Sequence, residues 1–269
     1  MSIKEVFQAT EAKKKELKDL PKELKGNWIK SLNSFLGRLR WHCHFIQKLE
    51  DEPEIEFKNM HSSYDTLRIN DFNDIFFEKW KTGKTGYPMV DASMRSLIAT
   101  GWLNFRMRAM LMSFASYHLW LPWQITSRYL ATLFTDYEPG IHYSQSQMQS
   151  GTTGINSIRI YNPIKQSLDQ DPDAVFIRKW LPELKKVSRE NIHMPWKGAE
   201  NMNGYPHPIV DESEARASAA SRIYKLRKDK IHKLEANKVY IKHGSRKPRS
   251  KKTKSKNKLK KSDVQMSLF

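Results

Sequence analysis

The sequence contains almost no cysteine. Cys43 is the only one among 269 residues, so no disulfide can form within the chain. Proteins of oxidising compartments commonly carry paired cysteines, whereas a single free thiol is typical of a reducing compartment. We therefore expect a cytoplasmic protein.

Long hydrophobic runs and targeting signals are also missing. No stretch of about 18 apolar residues occurs, so no membrane-spanning helix is expected. The first residues, MSIKEVFQATEAKKKELKD, contain no apolar segment followed by a cleavage site, so no secretory signal is predicted. A metal site is not expected, because His42 and His44 are two residues apart and a helical zinc pair needs a spacing of four.

Acidic residues are scarce relative to basic ones. The chain has 47 Lys and Arg against 29 Asp and Glu, a net charge of +18. Residues 245–269 hold ten of the basic residues and one acid, so about half of the excess lies at the C-terminus. This charge predicts a polyanionic partner, DNA first. The alternative is a basic protein whose charge serves solubility alone.

Apolar residues that recur every three or four positions predict helices over 26–50, 89–100, 102–120, 122–134 and 215–243. The polar, glycine-containing segment 144–156 is predicted to be a functional loop. No strand pattern or internal repeat is evident, so the predicted fold class is all-α, a helical bundle.

Composition divides the chain into three predicted parts. Residues 1–200 form the main helical domain, and 201–244 form a loop and a long basic helix. Residues 245–269 form a lysine-rich tail, predicted to be disordered because it cannot build a core.

The stretch from Trp80 to Pro163 places charges among apolar residues. Arg106 and Arg108 lie on one apolar helix, and Asp136 and Glu138 follow another. Because an unpaired buried charge is costly, we expect these arginines and carboxylates to have partners.

Four strings in the sequence resemble the FAD-binding helical domain of the photolyase/cryptochrome family. They are GKTGYPMVDASMRSLIATGW (83–102), NFRMRAM (104–110), FIRKWLPEL (176–184) and YPHPIVDESEAR (205–216). The resemblance extends from about residue 2 to 244. It implies a helical bundle that holds FAD at the base of a DNA-facing cavity. It also implies one of two activities, light-driven electron donation to a pyrimidine dimer or light-driven signalling.

The resemblance implies a role for particular residues. Arg108 would pair with Asp136 beside the flavin, where a carboxylate with an arginine partner can tune the cofactor. Trp123 would be the surviving member of a three-tryptophan electron route, since Ser146 and Asn70 occupy the other positions. The implied cofactor-binding residues are Trp102, Arg108, Asp136, Glu138 and His142. The implied DNA- or substrate-binding residues are Arg38, Trp41, Phe105, Arg106 and Met148.

Several of these residues depart from the family pattern. Arg38 stands where dimer-repairing enzymes carry a glutamate, and arginine cannot accept a hydrogen bond. Met148 replaces a tryptophan that clamps the lesion, and His142 replaces the usual asparagine. The family's antenna domain and FAD phosphate-binding loop would precede the position of Ser2. We therefore expect either half of a split protein, with a separate N-terminal photolyase-type chain as its partner, or a truncated gene product. The alternative is a relative that no longer holds flavin tightly.

Three functions follow from these observations. The first is a cryptochrome-like flavoprotein that binds FAD and DNA and acts in light signalling or in a process related to DNA repair. The second is a light-driven DNA photolyase completed by a separate N-terminal chain, which would make the protein an enzyme. The third is a non-catalytic DNA-binding remnant without FAD.

The last five residues resemble the bacterial peptide that binds the sliding clamp. That peptide docks in extended form, and the resemblance implies that Gln265, Leu268 and Phe269 contact the clamp. The alternative is an unstructured end with incidental hydrophobic residues.

Overall fold

The computed structural model describes residues 2–198 and 201–244, and every structural statement below concerns these residues. They contain helices and no strand, which confirms the predicted all-α class. The α-helices, numbered in chain order, are α1 (Ile3–Lys18), α2 (Lys22–Lys25), α3 (Trp28–Asp51), α4 (Asp74–Lys81), α5 (Pro88–Thr100), α6 (Phe105–Ser113), α7 (Trp123–Leu133), α8 (Pro139–Ser150), α9 (Pro163–Gln170), α10 (Val175–Trp180), α11 (Glu212–Arg227) and α12 (Lys230–His243).

Short helical turns connect several of these helices. Five are 3₁₀ turns: Pro53–Glu56, Ser62–Tyr64, Ile69–Asp71, Pro182–Leu184 and Pro195–Lys197. One π-helical turn, Phe114–His118, continues α6. Within the described ranges, no helix combines the length and apolarity that crossing a membrane requires.

The apolar helix predicted over 102–120 is shorter than expected and changes form. Asn104 caps α6, because its side-chain oxygen accepts from the backbone N–H of Met107 at 3.0 Å. The helix therefore begins at Phe105, and beyond Ser113 it widens into the π-helical turn. This segment lies at the centre of the core, where Met110, Leu111 and Phe114 are fully buried.

The prediction of a functional loop over 144–156 is wrong for the first half of that segment. Pro139–Ser150 form α8, which Glu138 caps at its start and Gly151, at φ +78°, ends. The polar side chains that suggested a loop lie inside the protein, and Gln147 shows why this is stable. Its amide bonds to backbone groups of the segment 55–60, so its polarity is satisfied without water.

The prediction of one continuous helix over 215–243 is also wrong. It divides into α11 and α12 at Lys228–Asp229. The Asp229 carboxylate accepts from the backbone N–H of Ile231 at 3.0 Å and so starts a new helix. The three-part division of the chain stays a prediction.

Packing between helices sets the position of a cleft. α3 packs against both α1 and α8, and α8 packs against α6 and α7. Gly140 permits the close approach of α8 to α3, because a Cβ atom there would lie 2.7 Å from the backbone oxygen of Phe45. α11 covers the π-helical turn through Ala219 and Ile223. The predicted tail and its clamp-binding residues Gln265, Leu268 and Phe269 lie outside the described residues.

Candidate functional site

A cleft with an interior volume of about 160 Å³, part of it open to solvent, lies between α6 and α8. α7 and the segment that follows it close the back. The lining residues are Phe105, Arg108, Ala109 and Met112 of α6, Leu130 and Phe134 of the α7 region, Asp136, Tyr137 and Glu138 of the connecting segment, and Ile141, His142, Gln145, Ser146 and Gln149 of α8.

Arg108 is held in the cleft by three contacts. Its Nη2 donates to Asp136 Oδ2 at 2.9 Å, and its Nε donates to the backbone oxygen of Leu103 at 2.7 Å. The guanidinium carbon also lies 4.1 Å from the ring centre of Phe134. The structure thus brings together the two residues that the sequence suggested as a pair, and it fixes a positive charge in the cleft wall.

Glu138 belongs to the same wall but is already engaged. Its two carboxylate oxygens accept from the backbone N–H groups of Gly140 at 3.1 Å and Ile141 at 2.7 Å. These bonds satisfy two of the free N–H donors at the start of α8, and the negative carboxylate interacts favourably with the positive end of the helix dipole. Glu138 therefore fixes the helix that carries the polar side of the cleft.

His142 lies at the back of the cleft, one turn into α8. Its Nε2 is 2.8 Å from the backbone oxygen of Ser127, and since a carbonyl only accepts, Nε2 carries the hydrogen. Burial lowers the pKa of the His142 imidazole, and the nearby Arg108 charge lowers it further, against the raising effect of the Ser127 bond. At neutral pH the ring is therefore neutral, and its Nδ1 is an acceptor.

Gln145, Ser146 and Gln149 continue the polar face that begins at His142. Their spacing of three, four and seven places all four on one side of α8. The Gln145 amide oxygen is buried and has no hydrogen-bond partner among the described residues. Sequence reasoning missed both glutamines because it interpreted 144–156 as a loop, which hid this helical spacing.

The remaining residues suggested as contacts for flavin or DNA are spread more widely. Phe105 lines the cleft and is 47% exposed, so it lies at the mouth, with Arg106 beside it on α6. Trp102 is 57% exposed in the turn before α6 and is not among the lining residues. Met148 is partly buried on α8, and it too is outside the lining.

Arg38 and Trp41 lie on α3, which packs against α8. The Arg38 guanidinium is 5.7 Å from the Trp41 ring centre, and the Trp41 ring meets Phe45 edge-on at 4.5 Å between centres. Neither residue lines the cleft.

Trp123 is buried behind the cleft. Its indole N–H donates to Asn59 at 2.7 Å. Its ring centre is 6.4 Å from that of Tyr143, which in turn is 5.2 Å from that of His142. The structure thus connects Trp123 to the cleft through one intervening ring. No group of three or more metal-ligating side chains occurs in residues 2–198 and 201–244.

A family model described as the FAD binding domain of DNA photolyase matches residues 35–225. The chain belongs to the photolyase/cryptochrome family. FAD is accordingly the cofactor of this domain, as the sequence predicted.

Individual relatives come from both branches of the family. The deoxyribodipyrimidine photo-lyase of Alkalihalophilus pseudofirmus is 34% identical over 203 residues, which are 71% of this chain and 42% of the relative. Cryptochrome-2 of Arabidopsis thaliana is 38% identical over 166 residues, 58% of this chain and 27% of the relative. The solved structure of the archaeal photolyase from Sulfolobus tokodaii with two FAD molecules superposes on this chain with a TM-score of 0.67 and 34% sequence identity. The superposed region covers 71% of this chain and 44% of the archaeal chain. The chain spans less than half the length of the relatives it matches.

The residues of the cleft fit the ring of this cofactor. Ala109 and Met112 provide an apolar wall, and α8 provides a polar wall with the unpartnered oxygen of Gln145. Arg108 adds a fixed positive charge at one end. A planar heterocycle with an apolar face and a polar edge matches this combination.

Proposed function

We propose that the chain is a flavoprotein domain that binds FAD in the cleft between α6 and α8 and binds DNA across the cleft mouth. We further propose that it acts in light-driven signalling rather than in the repair of pyrimidine dimers. One observation carries the first part: Arg108, Asp136 and His142 converge on one cleft in a chain of this family.

Each cleft residue has a definite task in this proposal. Bound FAD would supply absorption of blue light and transfer of single electrons. Arg108, fixed by Asp136 and Leu103, stabilises negative charge on the ring system. His142, neutral with a free Nδ1, offers an acceptor where the family commonly has an amide.

DNA binding is supported by charge and by exposed aromatic residues. The net charge of +18 favours a polyanion. Phe105 at the mouth can stack on an unpaired base, and Arg106 beside it can contact a phosphate. On α3, the guanidinium of Arg38 lies over the ring of Trp41, and these two side chains extend the candidate DNA surface.

Two features favour signalling over dimer repair. Arg38 offers hydrogen-bond donors only, so it cannot bind a lesion base as a carboxylate would. Met148 lies outside the cleft lining and gives no aromatic clamp there.

The proposal is tested by purifying the full chain, recording its visible absorption, and illuminating it with dimer-containing single- and double-stranded DNA. We expect flavin absorption and no loss of dimers. Loss of dimers under light would overturn the signalling function in favour of a photolyase. A colourless protein that still binds DNA would overturn the flavin function and leave a DNA-binding remnant.

The proposal includes two protein partners. The first is a separate N-terminal photolyase-type chain that would add contacts to FAD. The C-terminal peptide supports binding to a sliding clamp. A tagged chain isolated from its native cell should retain both partners, and isolation of neither would contradict this part.

A further inference from the structure

The Gln145 amide oxygen is an unpaired hydrogen-bonding group in the cleft wall. The amide projects from the middle of α8 among the lining residues, and its oxygen is buried without a partner in the described part of the chain. A buried amide that lacks a partner destabilises the protein, so such a group in a cleft indicates a ligand.

Gln147, two positions further along α8, shows how the fold treats a structural glutamine. Its oxygen accepts from the N–H of Met60 at 2.8 Å. Its nitrogen donates to the carbonyl oxygens of Ile55 at 2.9 Å and Lys58 at 2.8 Å. The Gln147 amide is thus satisfied by protein groups, whereas the Gln145 oxygen in the cleft is not.

The carboxylates nearby already accept hydrogen bonds from protein groups. Asp136 accepts from Arg108, and both oxygens of Glu138 accept from backbone N–H groups at the start of α8. His142 Nδ1 and the Gln145 oxygen therefore remain as acceptors for a ligand N–H, and of these two groups only the Gln145 amide also carries a donor beside its acceptor.

The shape of an amide defines the ligand edge that it suits. Its oxygen and nitrogen present an acceptor and a donor side by side, which pair with a donor and an acceptor side by side on the ligand. The imide edge of a flavin ring has this arrangement, with an N–H next to a carbonyl. The apolar wall formed by Ala109 and Met112 suits the face of such a ring.

We propose that the side-chain amide of Gln145 binds the imide edge of the flavin ring, with its oxygen accepting from the ring N–H and its nitrogen donating to the adjacent carbonyl. This inference rests on the proposed function, because it assigns a residue to the ligand of the same cleft.

The test compares FAD with FAD methylated at the imide nitrogen, which has lost the N–H. Titration of the full chain, followed by flavin fluorescence, gives both dissociation constants. We expect the methylated form to bind about tenfold more weakly or worse, because the amide oxygen is then left unpaired.

Variants assign this preference to the residue. Gln145→Leu should bind FAD about tenfold more weakly and should no longer distinguish the two flavins. Gln145→Glu keeps an acceptor and should retain the preference. Gln47→Leu, at an exposed position of α3, is the matched control and should behave as the wild type does.

Equal affinity of the wild type for both flavins would overturn the inference while leaving the proposed function intact. If Gln145→Leu still binds FAD more tightly than the methylated flavin, another residue must accept from the ring N–H. That result would also overturn the inference. A wild-type chain with no affinity for FAD would overturn the proposed function and this inference together.

Discussion

Arg108 shows how single side chains prepare the cleft. Its three anchors come from different segments: the turn before α6, the end of α7 and the residues that lead into α8. The position of the guanidinium therefore depends on the fold and not on the ligand. A charge positioned before binding needs little reorganisation when the ligand arrives.

Arg108→Ala should weaken FAD binding about tenfold or more, since a hydrogen bond to a charged group contributes roughly 1.5–3 kcal/mol. Its effect on the free energy of unfolding should be smaller, about 1 kcal/mol, because the pair with Asp136 is partly exposed. Flavin fluorescence and urea denaturation measure the two effects. Arg128→Ala, an exposed arginine that stacks on Phe57, is the control. Unchanged flavin binding in both Arg108→Ala and Asp136→Asn would contradict the assignment.

A second group of residues should make the stability of the folded chain sensitive to acid. The rings of His61 and His232 stack at 4.1 Å, and Nε2 of His232 is 2.9 Å from the hydroxyl of Tyr64. Arg227 donates to the same hydroxyl, whose own hydrogen is available to Nε2 of His232. Burial, together with the neighbouring His61 and Arg227, lowers the pKa of His232 to about 4.

Because the unfolded chain takes up this proton near pH 6.5 and the folded chain does not, the free energy of unfolding should fall as the pH falls from 6.5 to 4. The loss is at most about 1.4 kcal/mol per pH unit for one proton. Urea denaturation at a series of pH values measures it. His232→Phe should flatten the dependence, whereas exposed His207→Gln should leave it unchanged. The same slope in wild type and His232→Phe would show that other groups cause it.

At the scale of elements, α8 marks the limit of sequence reasoning. Helices with an apolar stripe, such as α5 and α7, were predicted within one residue of their observed ends, because periodic burial determines them. α8 carries polar residues on its cleft face and on the Gln147 face, so no apolar period marks it. Tertiary hydrogen bonds to the segment 55–60 make it stable, and these cannot be derived from local pattern.

The same limit applies to the candidate site. The family resemblance supplied Arg108, Asp136, Glu138 and His142, and all four line the cleft. The opposing apolar wall and the glutamines of α8 are recognisable as parts of the site only from the packing of α6 against α8. Contacts between segments that are distant in sequence determine these residues, so spacing along the chain could not show them.

Two glycines provide a matched test of how α3 and α8 pack. Gly140→Ala should lower the free energy of unfolding by about 1–3 kcal/mol, because the new methyl group would press on the backbone of Phe45 in α3. In Gly37→Ala, within α3, the new methyl group would meet no atom within 4 Å. This substitution should raise the free energy of unfolding by about 0.5–1 kcal/mol, because alanine favours the helix more than glycine does. Thermal or urea unfolding measures both. Equal effects of the two substitutions would contradict the close approach of the helices.

At the scale of the whole molecule, positive charge governs association with DNA. Affinity should fall steeply with salt concentration, since each neutralised phosphate releases counterions. Deletion of residues 245–269, which hold ten basic residues and one acid, should reduce the slope of log affinity against log salt. Fluorescence anisotropy with labelled DNA measures it, and an unchanged slope would show that the tail does not contact DNA.

The last five residues predict a separate effect. Deletion of 265–269 removes Gln265, Leu268 and Phe269 and no basic residue. It should therefore abolish capture by a sliding clamp while leaving DNA affinity nearly unchanged. Clamp capture that persists in the shortened chain would exclude this peptide as the binding element.

The central claim is that the cleft between α6 and α8 holds FAD. The most direct measurement is a titration of the purified full chain and its Arg108→Ala variant with FAD, followed by flavin fluorescence. The account predicts saturable binding of one FAD per chain, weakened about tenfold or more in the variant. Absence of saturable binding, or equal affinity in the two proteins, would contradict it.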